Sequence, residues 1–176
     1  MNINIKTSLQ NTTIHWLCFA FFAALSIGAQ AQKTERAIAP FKIEITNGQT
    51  FSADQLKKNK PTALIYFDPD CDHCEMLTKE LLKQHVALKS KQIVMVTYRP
   101  PAIVKDFEKK FAVATHKNII MGTEQEAFIV RKYYSIYTFP FVALYSSNGK
   151  PAGIFDKNMN DLPGIKRVIE EIKKLK

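Results

Sequence analysis

Apolar residues along this chain follow two different periods, and the order in which the periods alternate outlines a layered domain. In "FKIEIT" (41–46) apolar and charged positions alternate, which predicts a half-buried strand, and Asn47-Gly48 marks a hairpin turn directly after it. Ser52 and Asp54 suit a short helical turn running to Lys58. "PTALIYF" (61–67) is a continuous apolar run of strand length, the kind buried on both faces. From Asp72 the period changes. Met76, Leu77, Leu81, Leu82, Val86 and Leu88 recur at helical spacing with Lys and Glu between them, which predicts one amphipathic helix.

"QIVMVTY" (92–98) reads as a second buried strand, stopped by Arg99-Pro100-Pro101. Residues 102–112 read as a helix with Ile103, Phe107 and Phe111 inward, and "NIIMG" (118–122) as a short strand. A helix over 123–134 follows, with Thr123 as its cap and Glu126 closing a capping box. "FVALYS" (141–146), the turn "SNGK" (147–150) and "PAGIFD" (151–156) make a second hairpin. The terminal stretch 162–175 is an amphipathic helix with Ile165, Val168, Ile169 and Ile172 on one face. No repeat interrupts this order. The expectation is a single α/β domain, a mixed sheet flanked by helices.

The first thirty residues fall outside that pattern. Lys6 is the only charged side chain before Lys33, and "WLCFAFFAALSIG" (16–28) is apolar and followed by Ala29-Gln30-Ala31. The run is short for a bilayer span, which needs about 20 residues, and small residues precede Gln32 as they do at a signal-peptidase site. The reading is a cleaved secretory signal over 1–31, a short leader over 32–40 and a domain over 41–176. It places the protein in a periplasmic or other extracytoplasmic compartment with no stable membrane span after cleavage. An uncleaved N-terminal anchor is the competing reading, because the segment before the apolar run is long and weakly basic.

That cut changes the charge and the cysteine count. The chain carries a formal charge of +9, largely from dispersed lysines without the clustered Arg/Lys and aromatics of a nucleic-acid face, so no nucleic acid is expected as a partner. Of three cysteines, Cys18 leaves with the signal, and Cys71 and Cys74 remain. Two cysteines three apart close too small a loop to stabilise a domain much, so a purely structural disulfide explains the pair poorly. They stand where a buried strand ends and a helix begins, and a helix N-terminus favours a thiolate through its unpaired N–H groups and partial positive charge. In an oxidising compartment this spacing points to a redox pair. The alternative is metal: both thiolates with His73 and Asp70 or Asp72, and His85 or His116 as distal ligands, as in a copper-binding or copper-delivery protein. No second cysteine pair completes a zinc site. The reading therefore assigns no metal and no cofactor beyond a redox-active Cys71–Cys74 disulfide.

The apolar strand, "CDHC" and the amphipathic helix after it resemble the active-site unit of the thioredoxin fold. "YTFPF" (137–141) matches the position of that fold's cis-proline. The export signal and the N-terminal hairpin "FKIEITNGQTFS" are similar to those of exported TlpA/ResA-type thiol–disulfide oxidoreductases. The resemblance implies a thioredoxin-like sheet with an N-terminal β-hairpin extension. It also implies disulfide exchange with partner proteins, whose thiols or disulfides are the substrates, and a separate redox partner protein. By that likeness Cys71 is the nucleophile, Cys74 the resolving thiol, Pro140 the wall beside the disulfide and Phe139 the backbone that pairs with an incoming peptide.

Asp70 stands where relatives keep tryptophan, and Ile65 where they often keep a buried acid, so roles carried by those residues do not transfer. Asp70, Asp72 and His73 are expected to tune the thiolate. An aspartate at about 6 Å from the sulfur opposes the thiolate by about 0.7–3 kcal/mol, against about 0.3–2 kcal/mol in its favour from the helix end. Asp68, next to Pro69, is read as shaping the turn.

Overall fold

The computed structural model describes residues 37–176, so the candidate signal segment and most of the leader lie outside the described residues. Seven strands form one sheet in the order β2-β1-β5-β4-β3-β6-β7. They are β1 (Lys42–Ile45), β2 (Thr50–Ser52), β3 (Thr62–Tyr66), β4 (Gln92–Thr97), β5 (Ile119–Thr123), β6 (Phe141–Tyr145) and β7 (Pro151–Phe155). β3 pairs parallel with β4, and β4 parallel with β5. β1 and β6 pair antiparallel on either side of that parallel core. The N-terminal hairpin extends the same sheet, since Glu44 stands opposite Thr123. Gly48 supplies the left-handed turn residue of that hairpin (φ 82°).

The two faces of β3 define two cores. Ala63, Ile65 and Phe67 pack with α1 (Asp72–Lys83), α2 (His85–Leu88), α3 (Pro101–Lys110) and α5 (Leu162–Lys174). Leu64 and Tyr66 pack with Ala39, Phe41, α4 (Ile129–Tyr134) and the inner residues of β6. Successive strand residues point to opposite faces, so a strand covered on both sides is largely apolar, and all five β3 residues are buried. Ala39 is fully buried and its N–H donates to the Tyr134 hydroxyl (3.0 Å), so the segment before β1 belongs to this core.

Three expectations about helices change. The helix that holds Cys74 ends at Lys83 and restarts as the short α2, which turns Val86 out to 74% exposure while Leu88 stays in the core. In α3 the inward positions are Val104 and Phe107, with Ile103 and Phe111 only half-buried. No helix runs over 123–134: Thr123 closes β5, a 3-10 turn spans Gln125–Ala127, and α4 begins at Ile129. The cause is Glu124. Its carboxylate turns inward and accepts from the Val130 N–H (2.7 Å), doing at the start of α4 what the expected box would have done six residues earlier.

Candidate active site

Cys71 and Cys74 sit at the end of the sheet where the parallel strands terminate, Cys71 just before α1 and Cys74 in its first turn. Cys71 is the residue immediately before the helix; its carbonyl accepts from the N–H groups of Cys74 and Glu75 (3.0 Å each). No side chain caps this helix end, so Asp72 is an exposed first-turn acid and not a cap. The partial positive charge of the helix N-terminus is therefore left to the Cys71 position. Cys71 is half-buried, while Cys74 is 1% exposed among Leu77 and Leu81. Both are free thiols, and burial pushes the Cys74 thiol far above its ordinary range, with a smaller contribution from the neighbouring Cys71. One sulfur is reachable and the other is held protonated inside.

Opposite Cys71 lies the segment before β6. The Phe139–Pro140 peptide bond is cis, and the Cys71 thiol donates to the Phe139 carbonyl at 3.8 Å, a long contact even for sulfur. Phe139 is clasped between two tyrosines: its ring stacks on Tyr66 (5.8 Å, 27°) and on Tyr98 (6.0 Å, 26°). The Arg131 guanidinium covers the Tyr98 and Phe139 rings at 5.5 and 5.8 Å. Each aromatic pair contributes about 0.5–1.5 kcal/mol and each half-exposed cation–π contact about 0.5–2 kcal/mol. Beneath them the buried Tyr66 hydroxyl donates to Glu124 (2.6 Å). Burial first, and then the Glu124 carboxylate, push the Tyr66 phenol well above its usual range. The cis-peptide segment is thus braced by a cluster of four side chains, Tyr66, Tyr98, Arg131 and Glu124, that sequence reasoning did not assign to the site.

The acids around the thiols are also accounted for. Asp68 accepts from the Asp70 N–H (3.1 Å), which shapes the turn as expected, and from the Tyr98 hydroxyl (2.6 Å). Arg99 donates to Asp70 (2.5 Å) and approaches Asp68 (3.8 Å). The neighbouring Tyr98, and then these two carboxylates, raise the affinity of the half-buried Arg99 for its proton, and the Tyr98 phenol is pushed up by its bond to Asp68. Two of the three aspartates therefore carry a counter-charge or a donor of their own, and only Asp72 forms no ion pair among the described residues. Glu75, next along the helix, is held below the usual carboxylate range by Lys110 and then Lys79. His73 is half-buried beside the pair.

Tyr98 and Arg99 reach the site because β3 and β4 run parallel with a register offset that sets Thr62 opposite Gln92 and Tyr66 opposite Val96. The same offset carried two residues past the strand end sets Asp68 beside Tyr98. The signal available in the sequence was the Tyr98-Arg99 pair ending a strand just before two prolines, but its register against β3 was not readable.

The metal alternative loses its distal ligands. His85 follows the far end of the 12-residue α1, about 18 Å from the cysteines at 1.5 Å per residue, and His116 packs against His85. Among the described residues no three His, Cys, Asp or Glu side chains converge on a common point.

The comparisons agree with the geometry. The family model for the thioredoxin-like domain matches residues 52–157, a span holding both cysteines and Pro140. A search of curated protein sequences finds no significant match. Among solved structures, the fold is similar to a secreted Mycobacterium tuberculosis disulfide oxidoreductase described as homologous to E. coli DsbE. That match has a TM-score of 0.65 at 16% identity and covers 77% of this chain and 96% of the other. M. tuberculosis DsbF matches with a TM-score of 0.61 at 16% identity, over 81% of this chain and 100% of its own. A thiol-disulfide oxidoreductase from Bacteroides fragilis matches with 0.61 at 16% identity, over 78% and 99%. With the family model spanning more than half of the sequence, the chain belongs to the thioredoxin-like domain family.

Proposed function

We propose that the protein is an exported thiol–disulfide oxidoreductase that exchanges disulfides with partner proteins through Cys71 and Cys74. The observation that carries this reading is the asymmetry of the pair: a reachable Cys71 at an uncapped helix start facing the Phe139 carbonyl, and a buried, protonated Cys74 one turn inside. In the reducing direction the Cys71 thiolate attacks one sulfur of a substrate disulfide, forming a mixed disulfide and expelling one substrate thiolate. Cys74 then attacks the Cys71 sulfur, and the Cys71–Cys74 disulfide forms as the mixed disulfide breaks. The second substrate thiolate departs and takes up the Cys74 proton. Two electrons pass from the dithiol to the substrate, and the reverse sequence oxidises a substrate dithiol. The direction follows the partner's reduction potential.

Burial of Cys74 supports this order of events, because a protonated inner thiol does not compete for the substrate. The half-buried Phe139, preceded by the exposed Tyr137 and Thr138, offers backbone for an extended substrate strand. The apolar stretch 16–28 and the small residues before Gln32 support an extracytoplasmic setting, where such exchange persists. Among the described residues no helix is long and apolar enough to cross a membrane. The test is insulin reduction, or exchange with a mixed-disulfide model peptide, by the purified protein. Cys71→Ser is expected to abolish turnover and Cys74→Ser to trap the mixed disulfide. Unchanged turnover in Cys71→Ser would sink the reading.

A further inference from the structure

At the far end of α1 from the cysteines, an open cleft of about 480 Å3 is ringed by lysines. Lys57 and Lys60 come from the loop between β2 and β3, Lys89 from the residue after α2, and Lys117 from the loop before β5. Among the described residues no acidic side chain lines it, and none of these four lysines forms an ion pair. That sets them apart from Lys83, Lys173 and Lys174, each of which sits on a glutamate three residues away in its helix (2.6–2.8 Å). Unpaired like charges converging on one concavity repel each other, and the fold brings them together at that cost.

The cleft is also built. Gln92, 7% exposed, accepts from the Lys57 N–H (3.0 Å) and donates to the carbonyls of Lys57 (3.0 Å) and Lys60 (3.2 Å). One buried amide therefore fixes the loop that carries two of the lysines. Asn118 donates to the carbonyls of Leu88 (3.0 Å) and Lys91 (3.3 Å), tying the Lys117 loop to the segment that carries Lys89. Between the loops lie His85 and His116, with ring centroids 5.1 Å apart. His85 Nδ1 lies 3.0 Å from the Leu82 carbonyl, which only accepts, so Nδ1 carries the hydrogen and Nε2 is left over. Two imidazoles among four ammonium groups with no carboxylate suit a cation poorly. A bound anion, by contrast, favours the protonated ring, whose second N–H then donates to it.

We propose that this cleft binds a small free oligoanion of the phosphate class, a molecule carrying two or more phosphate groups. Lysine ammoniums deliver movable point charges to such a ligand, while the braced loops hold their Cα positions ready for it. The site is separate from the thiols, and its occupancy does not depend on their chemistry.

Calorimetric titration of the purified protein with tripolyphosphate at physiological salt tests it. One saturable site is expected. Lys57→Gln/Lys117→Gln should weaken it by about tenfold or more, equivalent to about 1.4 kcal/mol, and His85→Gln/His116→Gln should weaken it as well. Lys105→Gln/Lys166→Gln, the same charge change on exposed helix faces elsewhere, should leave it intact, with circular dichroism confirming that all variants fold. Absence of saturable binding overturns the proposal. So does an equal loss in the Lys105/Lys166 control, which would mean a non-specific response to net charge. Tighter binding to anionic phospholipid vesicles than to tripolyphosphate also overturns it, in favour of a membrane-facing patch.

Discussion

The inequality of the two thiols can be measured directly by leaving one at a time. Cys71→Ser keeps only the inner thiol, and Cys74→Ser only the outer one. An ordinary cysteine with a pKa of about 8.5 is roughly one quarter thiolate at pH 8, and each unit of upward shift costs about 1.4 kcal/mol and tenfold in thiolate. Burial is the largest cause of the upward shift at Cys74, and replacing Cys71 removes only a smaller contribution. At 1% exposure, access adds a further barrier. Iodoacetamide at pH 8 should therefore alkylate the Cys71→Ser protein at least about 100-fold more slowly than the Cys74→Ser protein, while both react alike in guanidinium. Native rates within tenfold of each other would refute the reasoning.

The same shift has a stability consequence whose sign is fixed. Cys74 holds its proton more tightly folded than unfolded, so its contribution is complete below the unfolded pKa of about 8.5. It is lost as pH rises above that, at up to about 1.4 kcal/mol per pH unit. Reduced protein should lose stability over that range, and protein with the Cys71–Cys74 disulfide formed should not lose it from this source.

Three further outcomes follow from named contacts. Arg99→Gln removes the partner of Asp70 and Asp68 and leaves their charge uncompensated beside the Cys71 turn, so alkylation of Cys71 should slow severalfold. An unchanged pH–rate profile would mean solvent already screens those acids. Tyr66→Phe deletes the buried hydrogen bond to Glu124 while keeping the stack on Phe139, so urea unfolding should report a loss of about 1.5–3 kcal/mol with exchange activity retained. Gly164→Ala places a Cβ 1.9 Å from the Asn158 carbonyl oxygen beside the Asp161 cap of α5. Thermal unfolding should show destabilisation of about 1–3 kcal/mol or more, and a wild-type melting temperature would contradict the packing at that turn.

The sequence by itself determined the elements whose pattern is local. The continuous buried run of β3, the period change after it, the Asn47-Gly48 turn and the terminal helix with its four inward residues need only neighbours along the chain to specify them. It likewise placed Cys71 and Cys74 at a strand-to-helix junction, because that is a change of period. Tertiary structure decided what surrounds them. Tyr98 and Arg99 meet Asp68 and Asp70 through strand register, and register depends on which strands pair, not on either strand's own pattern. Glu124 left an apparent capping-box helix because its buried carboxylate takes both the Tyr66 phenol 58 positions away and the Val130 N–H at the start of α4. The lysine-ringed cleft gathers residues from three loops that no periodicity connects, and only the fold brings them to one concavity.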